Sequence, residues 1–166
     1  DHIKELLYDS VGFSSRDEKV KLGIASMRIM YDAAEQLMKN GQPFILENNF
    51  ENVSRKELLA LLEKYACPAI TITLTGDYRT VYERFIKRES SPARHRGHVI
   101  NDRYPERSPG HPVAPLSFES FLAGIRDRGM DRFVANGPHI VVDTTDFEAL
   151  HWEDILAEIR RLIAAL

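Results

Sequence analysis

Apolar residues recur at alternating steps of four and three through Val20, Ile24, Met27, Tyr31, Ala34 and Met38. That spacing marks one face of a long helix. The tetrapeptide SRDE, with Ser15 and Glu18, reads as its capping box, and Gly41 stands where a helix ends. Upstream, DHIKELLYDS sets Ile3, Leu6 and Leu7 on one side of a short amphipathic helix, with Asp1 in position to cap it. PFILE, over 43–47, is an apolar run of strand length closing on Glu47, Asn48 and Asn49. A second capping box, SRKE (Ser54, Glu57), opens a leucine-rich helix to about Ala66. AITITL alternates Ile70, Ile72 and Leu74 with threonines and predicts a strand. Asp77 then caps a helix running to about Glu89. Pro105, Pro109, Pro112 and Pro115 forbid helix or central strand in the next stretch. Ser117 begins a helix to about Arg128, HIVVDTT predicts a buried strand, and HWEDILAEIRRLIAAL a final amphipathic helix.

Strands separated by helices call for an α/β fold: a parallel sheet with helices on both faces, its strands including 43–47, 69–74 and 139–143. Ligands of such sheets gather at the carboxyl ends of the strands. The polar residues obey that rule, with Glu47 to Asn49, Thr75 to Asp77, and Asp143 to Thr145 each closing a strand. A plainer reading makes them turn and cap residues, and Asp77 is read as a cap. Glu47 is a candidate for function, because a turn does not require a carboxylate at the end of an apolar strand.

Composition narrows the classes. The chain has 166 residues, 43% hydrophobic and 28% charged, which fits one ordinary globular domain. No apolar run is long enough to span a bilayer, and no signal-peptide pattern opens the chain. Cys67 is the single cysteine, so no internal disulfide forms and a reducing, cytoplasmic setting is expected. A net charge of −3 argues against wholesale nucleic-acid binding, so a basic function must be local.

Such a local feature exists. RFIKRESSPARHRGH, residues 84–98, carries five arginines and lysines against the single acid Glu89. Arg84, Lys87 and Arg88 share a helix face at i, i+3 and i+4, beside the apolar Val81 and Phe85. Arg94 and Arg96 come just beyond Pro92. Clustered like charges repel, and phosphate oxygens match guanidinium forks. A solvated surface face is the bland alternative. Single-stranded nucleic acid is a weaker one, since only Phe85 and Tyr104 are near for stacking.

These stretches together resemble P-loop kinases of the adenylate-kinase-like type, especially the small predicted kinases near zeta toxins and chloramphenicol phosphotransferases. DHIKE resembles the segment just after the family's second strand, and FILENNF its third strand with an acidic, Walker-B-like end. LTGDYRTVYERFIKRESSPARHRGH resembles the fourth strand, helix and arginine-bearing lid, and HIVVDTT the fifth strand. The resemblance spans essentially the whole chain. It implies an ATP-dependent phosphotransferase in which Arg88 and Arg94, with Arg84 and Arg96, clamp phosphates and stabilise the transferring group. It implies that Asp1 accepts the proton of a substrate hydroxyl. Glu47 and Asn48 would hold substrate or the magnesium water shell, and Asp143, Thr144 and Thr145 would border the adenine pocket. The expected ligands are ATP, magnesium held through water and phosphates, and a small-molecule substrate.

The family's first strand and its G-x-x-x-x-G-K-[ST] loop have no counterpart in the sequence. That loop cradles the phosphates, and its strand would lie between 43–47 and 69–75. Two expectations compete: a truncated copy of a longer kinase-like protein, or a chain whose open sheet edges are completed by a partner or a second copy. The functional alternatives are a non-catalytic, kinase-derived module binding an anion or a protein, and a polynucleotide-end kinase. Arg103, Tyr104 and His111 in the proline-rich loop are secondary ligand candidates. No direct metal site is expected, since His95 and His98 lack companions with ligand spacing.

Overall fold

The computed structural model describes residues 1–108 and 113–166; His111 lies outside the described residues. The described elements are α1 (His2–Val11), α2 (Arg16–Lys39), α3 (Asn52–Lys64), β1 (Thr71–Thr75), α4 (Tyr78–Glu89), α5 (Arg96–Val99), α6 (Phe118–Arg128), β2 (His139–Asp143) and α7 (Trp152–Ile163). The protein is α/β with a small parallel sheet. β1 and β2 pair directly, Thr71 opposite His139 through Thr75 opposite Asp143.

Both strands fall where the apolar patterning puts them. The strand expected over 43–47 does not form among the described residues, and Ile45 is 94% exposed. An apolar run becomes a strand only when a neighbour takes up its N–H and C=O groups. No described strand does so for these residues, and the described sheet has two strands, not three or more.

The chain divides into two compact units, Asp1–Asn48 with Glu83–Ser117, and Asn49–Tyr82 with Phe118–Leu166. In the first, Tyr8, Phe13 and Ile100 form a buried cluster joined by Leu22 and Tyr104. Tyr8 meets Phe13 edge to face at 5.3 Å between ring centroids. Phe13 and Tyr104 exchange two backbone hydrogen bonds of 2.8 Å. Gly12 permits this approach: its φ is +71°, and a Cβ there would strike the Tyr104 carbonyl. Ser15 caps α2 by accepting from the Glu18 N–H, while Glu18 reaches past it to accept from the Ser14 N–H. Of the apolar stripe on α2, Tyr31, Ala34 and Met38 are buried, whereas Val20 and Ile24 remain exposed.

In the second unit Leu58 and Leu62 of α3 and Val142 of β2 are buried, and Phe50 stacks on Phe133 at 4.7 Å. α3 starts earlier than SRKE suggests. Ser54 is buried within its first turn, accepting from the Glu51 N–H at 3.1 Å and donating to the Glu51 carbonyl at 2.8 Å. Asp77 caps α4 as expected, accepting from the Thr80 N–H at 2.9 Å. Ile72, Leu74 and Val141 of the sheet stay substantially exposed.

Candidate active site

Asp1, Glu5 and Asp9 stand four residues apart on α1, so their carboxylates share one face. Each meets a residue of the basic stretch. Asp1 Oδ2 accepts from Arg94 Nη1 at 2.9 Å. Glu5 Oε1 lies 2.9 Å from His98 Nε2. Asp9 Oδ1 lies 3.0 Å from His95 Nε2 and accepts from the Tyr104 hydroxyl at 2.6 Å. The anions that the cation cluster calls for are thus partly supplied by α1. Asp1 occupies the N-cap position of α1, but its side chain caps no amide. A guanidinium is the stronger donor, and it takes the carboxylate.

The local fold aims these groups. α4 ends at Glu89, and the Arg94 N–H turns back onto the Ser91 carbonyl at 3.0 Å. The four-residue α5 comes next, with His95 Nδ1 accepting from the Gly97 N–H at 3.0 Å. That bond leaves His95 Nε2 as the protonated nitrogen that donates to Asp9. Gly97 is buried against the Tyr8 ring, where a side chain would have no room. Lys19 ties α2 to the end of α5, donating to the carbonyls of His98 at 2.7 Å and Ile100 at 2.5 Å. Burial, reinforced by Arg16, lowers the Lys19 ammonium to about 8.

Each predicted lid residue has a definite place. Arg94 is 13% exposed and bridges two acids: its Nε donates to Glu89 Oε1 at 3.0 Å while Nη1 reaches Asp1. Arg88 Nε lies 3.4 Å from the same Glu89 oxygen, with its guanidinium 5.7 Å from the Phe85 ring centroid. Arg96 forms a two-pronged pair with Glu106, at 2.7 Å and 2.5 Å, and Glu106 raises the Arg96 pKa. Arg84 is half-buried on α4. Tyr104 is fixed by Asp9, whose hydrogen bond and charge, with burial, push its hydroxyl up to about 12. Arg103 lines an open groove of about 460 Å³ with Asp102, Glu106 and Arg107.

His98 has companions after all. The ligating atoms of Asp1, Glu5 and His98 lie within 4.8 Å of one another, a grouping invisible in their sequence spacing. Of these three, Asp1 also pairs with the Arg94 guanidinium. Burial, then the Arg94 charge, lowers the His98 pKa to about 4 against the opposing Glu5 hydrogen bond. His98 is therefore neutral near pH 7.

In the second unit, Asp143 Oδ1 accepts from the Thr145 N–H at 2.8 Å and from its hydroxyl at 2.6 Å. These bonds hold the Asp143 carboxyl below its ordinary range. Thr144 is buried, its hydroxyl donating to the Thr75 carbonyl at 2.7 Å. Thr145 Oγ1 accepts from the Asp77 N–H at 2.7 Å, joining the ends of β1 and β2. Glu47 and Asn48 are exposed in an irregular segment of the first unit.

No family model and no curated protein matches the chain. Among solved structures, the chain is similar to that of a "putative kinase" from Chloroflexus aurantiacus J-10-fl. The match has a TM-score of 0.75 and 26% identity, and covers 98% of this chain and 80% of that one. The likeness is consistent with a kinase-like α/β fold. No helix among the described residues is long and apolar enough to cross a membrane.

Proposed function

We propose that this chain is the body of an ATP-dependent phosphotransferase of the P-loop, adenylate-kinase-like type. In this reading residues 1–166 form one domain with a lid over 84–98, acting on a hydroxyl of a small molecule or nucleotide-like substrate. The observation that carries the reading is the 2.9 Å pair of Asp1 and Arg94. A base that takes a hydroxyl proton and a cation that stabilises the moving phosphoryl group must work within a few ångströms of each other. Arg88 joins Arg94 in contacting phosphate, and Arg84 and Arg96 add to the field. Glu47 and Asn48 offer the carboxylate and amide oxygens that suit a magnesium ion keeping most of its waters. Asp143, Thr144 and Thr145 contribute to nucleotide binding.

A glycine-rich phosphate loop is not among the 166 residues, and in this reading it and its strand are supplied from outside them. The exposed apolar residues Ile72 and Leu74 on one face of the sheet and Val141 on the other support helices covering both faces. The test is thermal unfolding with and without ATP and magnesium, alongside phosphoryl transfer to a panel of hydroxyl compounds. Stabilisation by nucleotide that is lost in Arg94→Ala is expected. The reading ends if a form carrying a glycine-rich loop neither responds to nucleotide nor transfers phosphate.

A non-catalytic, kinase-derived module is the second reading, and one observation favours it. Arg94 and Arg96 are already neutralised by Asp1, Glu89 and Glu106, so the lid holds together without an external anion.

A further inference from the structure

The lid's single acid is the residue least expected to help bind phosphate, yet Arg88 and Arg94, the two arginines proposed to contact phosphate, converge on it. Glu89 Oε1 lies 3.0 Å from Arg94 Nε and 3.4 Å from Arg88 Nε. The carboxylate is 17% exposed, whereas the Arg88 side chain is 58% exposed. Glu89 therefore grips each guanidinium by its inner nitrogen, close to the side-chain stem. On Arg94 this directs the outer edge elsewhere, and Nη1 of that edge meets a second carboxylate, Asp1. An oxygen anion is thus already seated at the outer edge, where a phosphate oxygen could take the place of Asp1 without disturbing the bond to Glu89.

We infer that Glu89 is a positioning residue, setting the spacing and direction of Arg88 and Arg94 so that together they engage neighbouring phosphates of a polyphosphate. The inference rests on the phosphotransferase reading of the lid. Without Glu89 two adjacent guanidinium groups would repel each other, and Arg88 in particular would sample many rotamers. Each phosphate contact would then carry the ordering cost that Glu89 removes beforehand.

The sign of the effect separates this role from ordinary electrostatics. Removing an acid near an anion site should tighten anion binding through Coulomb's law, whereas removing a positioning acid should weaken it. The experiment titrates inorganic triphosphate and inorganic phosphate calorimetrically into the wild type, Glu89→Ala, Arg94→Ala and the double variant, with thermal unfolding to confirm the fold. Glu83→Ala, which removes an exposed acid from the same helix, reports the charge effect alone.

The expected result is triphosphate binding about tenfold weaker in Glu89→Ala. The preference for triphosphate over phosphate should fall in parallel, which a folding defect alone would not cause. Glu83→Ala should bind unchanged or tighter, and the double variant should be no worse than Arg94→Ala. If Arg94→Ala loses binding but Glu89→Ala binds as tightly as wild type or tighter, the positioning role is wrong and the lid reading stands. If Arg94→Ala binds like wild type, the lid reading falls and the role of Glu89 falls with it.

Discussion

Asp1 and Arg94, separated by 93 positions in sequence, meet at 2.9 Å, and Arg94 extends its Nε to Glu89 at 3.0 Å. The arginine is largely buried while Asp1 remains about half exposed. A buried guanidinium with two carboxylate partners is well compensated, and removing it would leave the largely buried Glu89 with only the longer 3.4 Å contact to Arg88.

On the phosphotransferase reading, Arg94→Ala should lower phosphoryl transfer about a hundredfold, the cost of losing one preorganised charge donor beside the transferring group. Arg94→Lys keeps the charge but cannot span both acids as a planar fork, so it should recover less than half of that loss. Transfer rates at saturating nucleotide, with unfolding curves for each variant, check this. Wild-type turnover in Arg94→Ala would remove the arginine from the site.

Gly97→Ala tests how the basic stretch is docked. An alanine Cβ would strike the Tyr8 ring, which is among the most buried side chains in the chain. The ring is hemmed in by Phe13, His98 and Tyr104, so it cannot swing aside freely. Overpacking at this point should cost about 2 kcal/mol, read by denaturant unfolding. Hydrogen exchange should also rise in residues 95–100. An unchanged unfolding midpoint would mean that α5 is not held against α1.

The long helix, the two paired strands and the Asp77 cap are legible in the sequence because each depends on local pattern: Met38 falls on a periodic stripe, and Asp77 precedes a helix opening. The segment 43–47 misleads because its apolar run says nothing about whether a neighbour exists to pair with it. α5 escapes a reading by period because four residues are too few to show one. Ser54 has the sequence context of a cap, but the helix starts two residues earlier, at Asn52, and the Ser54 hydroxyl bonds back to the Glu51 backbone from inside the first turn. For the site, the arginines are conspicuous and their partners are not. The acidic spacing of Asp1, Glu5 and Asp9 is present in the sequence, yet only the docking of α1 against α5 gives it meaning.

Asp77→Ala separates capping from chemistry. Its carboxylate accepts from the Thr80 N–H and hydroxyl, and these bonds hold its pKa below the ordinary carboxylate value. Losing the cap should lower the unfolding temperature by about 3 °C and leave transfer rates within twofold of wild type. A much larger loss of rate than of stability would give Asp77 a role beyond the helix end.

The acid side of the stability profile is set in part by His98. Its pKa is lowered from 6.5 to about 4, first by burial and then by Arg94, although Glu5 opposes the shift. Above the unfolded value both states hold a neutral imidazole and the stabilisation is complete. Between about 6.5 and 4 the unfolded chain binds a proton that the folded chain refuses, so stability falls as pH drops through that window. Below about 4 both states are protonated and this contribution is gone. His98→Gln preserves a donor toward Glu5 without titrating, so its urea midpoint should fall less steeply than that of wild type from pH 6.5 to pH 4. The two proteins should show parallel profiles above pH 7. Parallel profiles across the acid window as well would place His98 in contact with water and undo the packing of α5 against α1.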